Sequence, residues 1–227
     1  AALHPNFANI VHDIALLNSL GVRLVLVHGA RPQVAQRLLA AGLDDSCHDD
    51  VRATDGAALA HVKDAVGSLR ADIEALLSMG LPNSPMLGAS IRVSSGNFIT
   101  AQPRGVVDGV DFQRTGKVRR VDAAAVIRNL EQGSIVLLSP LGYSPTGEIF
   151  NLALEDVAVH VAIALKADKL LLFGEAAGVL DATGKLIRQC DLGEALELMH
   201  NSIDAEQCRL LGTARQACSA GIERCQI

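Results

Sequence analysis

The stretch Leu24-Val25-Leu26-Val27-His28-Gly29-Ala30-Arg31-Pro32-Gln33-Val34 joins an apolar run to a glycine turn and then to a segment with proline near its start. Branched and leucyl side chains without alternation, stopped by Gly29, fit a strand buried on both faces, as in a parallel sheet. Pro32 suits a first helical turn, where its missing N–H is no loss. The free backbone N–H groups of such a helix start, with its dipole, form a place where a carboxylate or phosphate can dock, and Arg31 adds a charge there. The same pattern serves as an ordinary strand-to-helix turn of an α/β protein, so the rest of the chain has to decide.

Upstream of that turn, Phe7, Ile10, Val11, Ile14, Leu17 and Leu20 recur at helical spacing before Gly21, which predicts a helix over 6–20 feeding a strand over 22–27. A helix leading into a buried parallel strand completes a right-handed crossover only if a strand precedes it. The expectation is therefore that the first strand of the domain lies ahead of Ala1.

Downstream, residues 34–43 continue as a helix, and 44–50 form a polar, acidic loop. Thr54 or Asp55 caps the next helix, whose Leu59, Val62, Val66, Leu69, Ile73, Leu76 and Leu77 mark one apolar face up to Met79 and a stop at Gly80. Beyond Pro82 and Pro85, residues 90–93 and 97–102 are expected to pair as a β-hairpin around Ser94-Ser95-Gly96, with more β structure over 111–121. A helix over 121–132, a second buried strand over 134–139, and a turn at Pro145-Thr146-Gly147-Glu148 follow. Then come a long helix over 154–166, a third buried strand over 169–173, helices over 192–201 and 205–220, and a last strand over 222–227. Strands alternating with helices predict an α/β fold, a doubly wound, mainly parallel sheet with an antiparallel β-hairpin insert, in one domain spanning 1–227.

Composition narrows the function. Lysine and arginine total 20 against 25 aspartates and glutamates, a net charge of −5, which leaves no basic face for nucleic acid. No apolar run has the length of a membrane span, and Ala1-Ala2-Leu3-His4-Pro5 lacks the basic and apolar regions of a signal peptide, so a cytoplasmic protein is expected. Cys47, Cys190, Cys208, Cys218 and Cys225 form no CxxC pair, which favours reduced thiols and predicts no metal centre.

Several segments carry a more specific signal. Leu24 to Val34, Arg52-Ala53-Thr54-Asp55, Ser95-Gly96-Asn97-Phe98-Ile99-Thr100-Ala101-Gln102-Pro103, Gly109-Val110-Asp111-Phe112, Val118-Arg119-Arg120-Val121-Asp122 and Phe150-Asn151-Leu152 together resemble the amino-acid-kinase-like domain of the bacterial N-acetylglutamate synthase family. The resemblance covers nearly the whole chain, in order. It implies an amino-acid-kinase-like, carbamate-kinase-like fold, and a domain that senses L-arginine as feedback inhibitor. Acetyl transfer from acetyl-CoA to L-glutamate, the first step of arginine biosynthesis, then belongs to an acetyltransferase domain expected after Ile227. This chain alone is expected to be inactive, to assemble as a homo-oligomer, and to use neither ATP nor metal.

The alternative is an N-acetylglutamate kinase, the nearest relative by fold. Phosphoryl transfer has to neutralise several phosphate oxygens at once, so it needs lysines and a carboxylate that orients them or holds a metal. Relative to the kinases, Ala30 replaces the second glycine of a pair, Glu155 or Asp156 matches the aspartate near the long helix, and Ala214 stands where a late lysine would be. These departures describe a nucleotide site short of positive charge.

The resemblance also implies site residues, all ligand-binding and none catalytic. Gly29 and Ala30 keep the shape of an anion site. Arg52 matches an arginine that holds a carboxylate of the acyl-amino acid, work that suits a guanidinium fork, or else it is a surface arginine beside Asp49 and Asp50. Asn151 matches a polar contact to the same ligand, or else caps the following helix. For arginine, Gly221 offers backbone donors and Glu223 a carboxylate, unless they are merely a helix end and a solvent-facing charge. Cys218 and Cys225 read as small buried hydrophobes or ligands, and His28 as a satisfied core histidine or a general base.

Overall fold

A computed structural model describes residues 7–48, 50–79, 91–174, 176, 178–181, 183–201 and 204–227. The chain divides into two compact units, Ala1–Leu154 and Glu155–Ile227.

The first unit opens with α1 (Phe7–Ser19), β1 (Val25–Val27) and α2 (Arg31–Ala40), the helix–strand–helix sequence expected around Gly29. Pro32 sits in the first turn of α2. The acidic loop is not wholly irregular: β2 (Cys47–His48) pairs antiparallel with β3 (Val51–Arg52). Asp50 supplies a φ of 62° at the turn, a conformation that aspartate tolerates better than most residues. Asp55, rather than Thr54, caps α3 (Gly56–Ser78), its Oδ1 accepting from the Ala58 N–H at 2.7 Å. Val62, Ala65, Val66, Leu69 and Ile73 of α3 are buried with Val34 and Leu38 of α2, Val11 of α1 and Leu137, the core that fixes this layer. The expected stop at Gly80 and the loop around Pro82 and Pro85 lie outside the described residues.

Then follow β4 (Val93–Ser94), β5 (Ile99–Pro103), β6 (Val106–Val107), β7 (Val110–Asp111), β8 (Gly116–Val121), α4 (Ala123–Glu131), β9 (Ile135–Leu138), β10 (Leu141–Tyr143) and β11 (Ile149–Asn151). A parallel sheet runs β1-β9-β4, with Val27 opposite Leu138 and Val93 opposite Ile135. All four residues of β9 are buried, as a central parallel strand requires, whereas β1 is only half-buried. A mixed sheet runs β11-β10-β5-β8: β5 and β8 pair antiparallel, as do β10 and β11.

The expected hairpin between 90–93 and 97–102 does not form. Residue 90 lies outside the described residues, and β4 joins β9 in parallel while β5 joins β8 in the other sheet. A tight hairpin turn needs a positive φ, and Gly96 does not have one. Ser94 Oγ instead reaches Asn129 Oδ1 at 2.7 Å, and Ser95 Oγ reaches Glu74 Oε1 at 3.1 Å, so the segment is tied to α4 and α3 as it crosses between sheets. The antiparallel insert is built from β5–β8 and its neighbours.

In the second unit, α5 (Leu154–Leu165) continues into β12 (Lys169–Leu171), α6 (Leu192–Asn201), α7 (Ala205–Ser219) and β13 (Arg224–Gln226). β12 and β13 are parallel, with Leu170 opposite Cys225. Val159, Ala162, Ala217 and Ile222 form a core against which Leu170 and Cys225 pack. The third strand is shorter than the expected 169–173 and not buried: Leu171 is 48% exposed and Phe173 71%. An apolar run shows that a segment prefers a covered position, and a strand with one recorded neighbour covers little of it.

Candidate functional site

The first unit gathers residues distant in sequence around two buried hydroxyls, Thr54 and Thr115, whose exposures are 0% and 2%. Thr115 Oγ1 donates to the Arg52 carbonyl at 2.6 Å and accepts from the Thr54 N–H at 3.1 Å. The two hydroxyl oxygens are 3.0 Å apart, and Asn151 Nδ2 donates to Thr54 Oγ1 at 3.0 Å. Backbone bonds reinforce this arrangement: the Arg114 N–H donates to the Thr54 carbonyl at 2.8 Å, and the Asn151 N–H to the Arg114 carbonyl at 2.9 Å. Buried polar groups persist when each has a partner, and here they link β3, the 113–115 segment and β11. Arg52 and Asn151, expected to share a ligand, therefore share a scaffold. Asn151 is the last residue of β11 and not a cap of α5.

Arg52 is no ordinary surface arginine, since its side chain is 10% exposed. Its guanidinium takes Asp45 side-on, Nε to Oδ1 at 2.5 Å and Nη2 to Oδ2 at 2.9 Å. These charge-assisted bonds hold the Asp45 carboxyl below its ordinary pKa, against a smaller opposing effect of burial. Arg31 is also engaged: Nη1 donates to Asp50 Oδ1 at 2.9 Å and Nη2 to the Asp50 carbonyl at 3.2 Å, both side chains being exposed. Two cavities flank this region. One of about 340 Å³ is lined by Cys47, His48, Arg104 and Phe112 among others, with the Arg104 guanidinium 4.7 Å over the Phe112 ring. The other, about 170 Å³, includes Asp44, Ser46, Ala53 and Asp55. Neither is lined by Arg52 or Asn151.

At the glycine turn, Ala30 is the buried N-cap of α2 and makes no side-chain capping bond. A Cβ on Gly29 would stand 3.1 Å from Leu154 Cδ2, a tight contact, so the leucine side chain lies close over the turn. His28 is buried, but neither ring nitrogen has a well-formed hydrogen bond among the described residues, so it is not the satisfied histidine expected from sequence. Burial pushes its pKa down, the Gly29 backbone pulls it up, and Arg70 and Glu74 of α3 add opposing charge effects.

The second unit treats its expected ligand residues differently. Gly221, at φ 102°, ends α7; its N–H donates to the Cys218 carbonyl and the Ile222 N–H to the Ala217 carbonyl, each at 3.1 Å. Those backbone donors are engaged by the helix end. Glu223 is exposed. Cys218 and Cys225 are half-buried with their Sγ atoms 3.3 Å apart, and burial together with Cys218 pushes the Cys225 thiol up to about 12. Ala214 lies on α7, Glu155 pairs with Arg209 at 3.6 Å, and Asp156 with His160 at 2.9 Å. No cluster of three or more metal-ligating side chains occurs among the described residues.

Sequence reasoning missed Asp45 and Thr115. The signal for Asp45 was its place in an acidic loop seven residues before Arg52, the reach of a short hairpin. Thr115 had none, because Thr-Gly reads as a turn.

Comparison with known proteins accords with this architecture. The Amino acid kinase family model matches residues 2–227. An amino-acid acetyltransferase of Pseudomonas paraeruginosa is 57% identical over 227 residues, 99% of this chain and 52% of that protein. The chain thus spans about half the length of the curated relatives it matches. An N-acetylglutamate synthase from Neisseria gonorrhoeae, solved with coenzyme A and L-arginine, aligns with a TM-score of 0.91 at 33% identity, over 97% of this chain and 52% of that one. A carbamate kinase from Giardia lamblia, with a TM-score of 0.61 at 13% identity over 95% of this chain and 82% of that one, shares the fold. The chain belongs to the amino acid kinase family.

Proposed function

We propose that this chain is the arginine-sensing, kinase-like domain of an N-acetylglutamate synthase. The whole protein transfers acetyl from acetyl-CoA to L-glutamate, the first step of arginine biosynthesis, and L-arginine restrains it as feedback inhibitor. The observation that carries this reading is the identity of 57% along 99% of the chain to an amino-acid acetyltransferase. The glycine turn of the first unit agrees with it: Ala30 stands at the helix start, and Leu154 packs on Gly29. A moving phosphoryl group needs dense positive charge, which these residues do not supply.

In this reading residues 1–227 are one kinase-like domain whose first strand precedes Ala1, and an acetyltransferase domain beyond Ile227 performs the transfer. The protein is cytoplasmic and forms a homo-oligomer; none of the described helices is long and apolar enough to cross a membrane. Arg52 takes a carboxylate of an acyl-amino acid. Asn151 donates through Nδ2 to Thr54, which leaves its carbonyl oxygen as an acceptor for the ligand's amide N–H. Gly29 and Ala30 shape a vestigial anion site, and Gly221 and Glu223 contribute to the arginine site.

The test is made on the full-length protein. It consumes acetyl-CoA when given L-glutamate, L-arginine suppresses that rate, and no acylphosphate forms from N-acetyl-L-glutamate and magnesium-ATP. Acylphosphate formation without acetyl transfer would replace this reading with a kinase.

A further inference from the structure

Arg52 is the group to which the proposed function assigns a ligand carboxylate, and it already holds one. Asp45 offers both oxygens to Nε and Nη2, the two-point geometry by which a guanidinium selects a carboxylate. Arg52 is almost enclosed at 10% side-chain exposure, while Asp45 keeps 34% and faces solvent from the loop. The same loop carries four aspartates between 44 and 50, and a second of them, Asp50, engages Arg31 at the head of α2. Both arginines that the sequence offers to an anion are thus paired from one short acidic segment. Neither cavity beside the hairpin is lined by Arg52.

We propose that the 44–50 loop is an internal occupant of the carboxylate site: Asp45 stands on Arg52 in place of a ligand carboxylate, and an acyl-amino acid binds only by displacing it. This rests on the assignment of Arg52 as a ligand contact. Tethering through a few residues gives Asp45 an effective concentration on the order of millimolar or above, so a free carboxylate must compete against it. An enclosed guanidinium is costly to leave unpaired, so the exchange is carboxylate for carboxylate with no open intermediate of low energy. The Asp45 side chain therefore sets which carboxylates the site accepts and how weakly.

The experiment measures N-acetyl-L-glutamate binding to the full-length protein by calorimetry, the site in question being the one lost on Arg52→Gln, with folding of each variant checked by circular dichroism. Asp45→Asn keeps the shape of the side chain and removes its charge; Asp45→Ala serves where Asn disturbs folding. The expected result is binding at least about tenfold tighter than in the unaltered chain, abolished again by adding Arg52→Gln. Equal affinity with and without Asp45, still lost on Arg52→Gln, overturns the internal occupant and leaves Arg52 a ligand contact. Binding by none of the folded variants removes the assignment of Arg52 and the proposal with it.

Discussion

Around Arg52 and Asn151 the first unit buries polar groups and satisfies them against one another, whereas around Gly221 and Glu223 the second leaves a charge in solvent and closes its backbone groups on a helix end. Both regions looked like ligand contacts in the sequence. The difference lies in what each costs to keep. Thr54 and Thr115 lose water on folding and must recover it as hydrogen bonds, so their network is an obligation of the fold as well as a candidate site. Glu223 gives up nothing, and its substitution should be silent in the absence of a ligand.

The largest effect expected from this contrast is that of Thr115→Val. The replacement keeps the shape but strands the Thr54 N–H and leaves the Arg52 carbonyl only its long bond from Thr54 Oγ1, 3.5 Å. A stranded buried group costs about 1–3 kcal/mol, so urea unfolding of the variant should show a loss of about that size. Glu223→Gln, measured alongside, should stay within about 0.5 kcal/mol. Comparable losses at both positions would erase the contrast.

Gly221→Ala comes next. The residue holds φ 102° at the end of α7, a conformation that side chains resist, and it has open space around it, so the penalty is backbone strain alone. A loss of about 1–2 kcal/mol follows, read as a lowered thermal midpoint. An unchanged midpoint would mean that the turn is not held by the fold, and the second region would then be freer to reshape around a ligand.

How much of this was legible in the sequence follows the same division. Helices α1, α2, α3 and α7 announced themselves because periodicity and end signals are local, and β9 because an uninterrupted apolar run leaves few other choices. The partner of β4 did not, because pairing is a long-range outcome: Ser94-Ser95-Gly96 looks like a turn, and only the side-chain ties to α3 and α4 reveal a crossing between sheets. β10 and β11 were read only as the turn between them. Arg52 and Asn151 were singled out through resemblance, while the hydroxyls that connect them were not, since a buried threonine has no local mark. Phe173 shows the reverse error: hydrophobic enough to be placed inside, it is 71% exposed.

His28 is a titratable exception within the first unit, and so a sharp test of the contrast at the small end. It is a buried titratable group whose ring nitrogens have no well-formed bond among the described residues, in the same unit that satisfies Thr54 and Thr115 so fully. Burial lowers its folded pKa below the ordinary 6.5, so between those two values the unfolded chain carries a proton that the folded chain refuses. Stability therefore falls as pH drops through about 6.5, and the decline ends once the folded pKa is passed, because both states then bind the proton. Asp45 runs on a separate range: its depressed pKa contributes stability above 3.8 that is lost only as pH falls further, so the two do not overlap above pH 5. Urea midpoints between pH 7.5 and 5 should decline less steeply in His28→Asn than in the unaltered chain. Parallel curves would mean that the imidazole meets a partner or water in solution, and the first unit would then have no unsatisfied polar group at this turn.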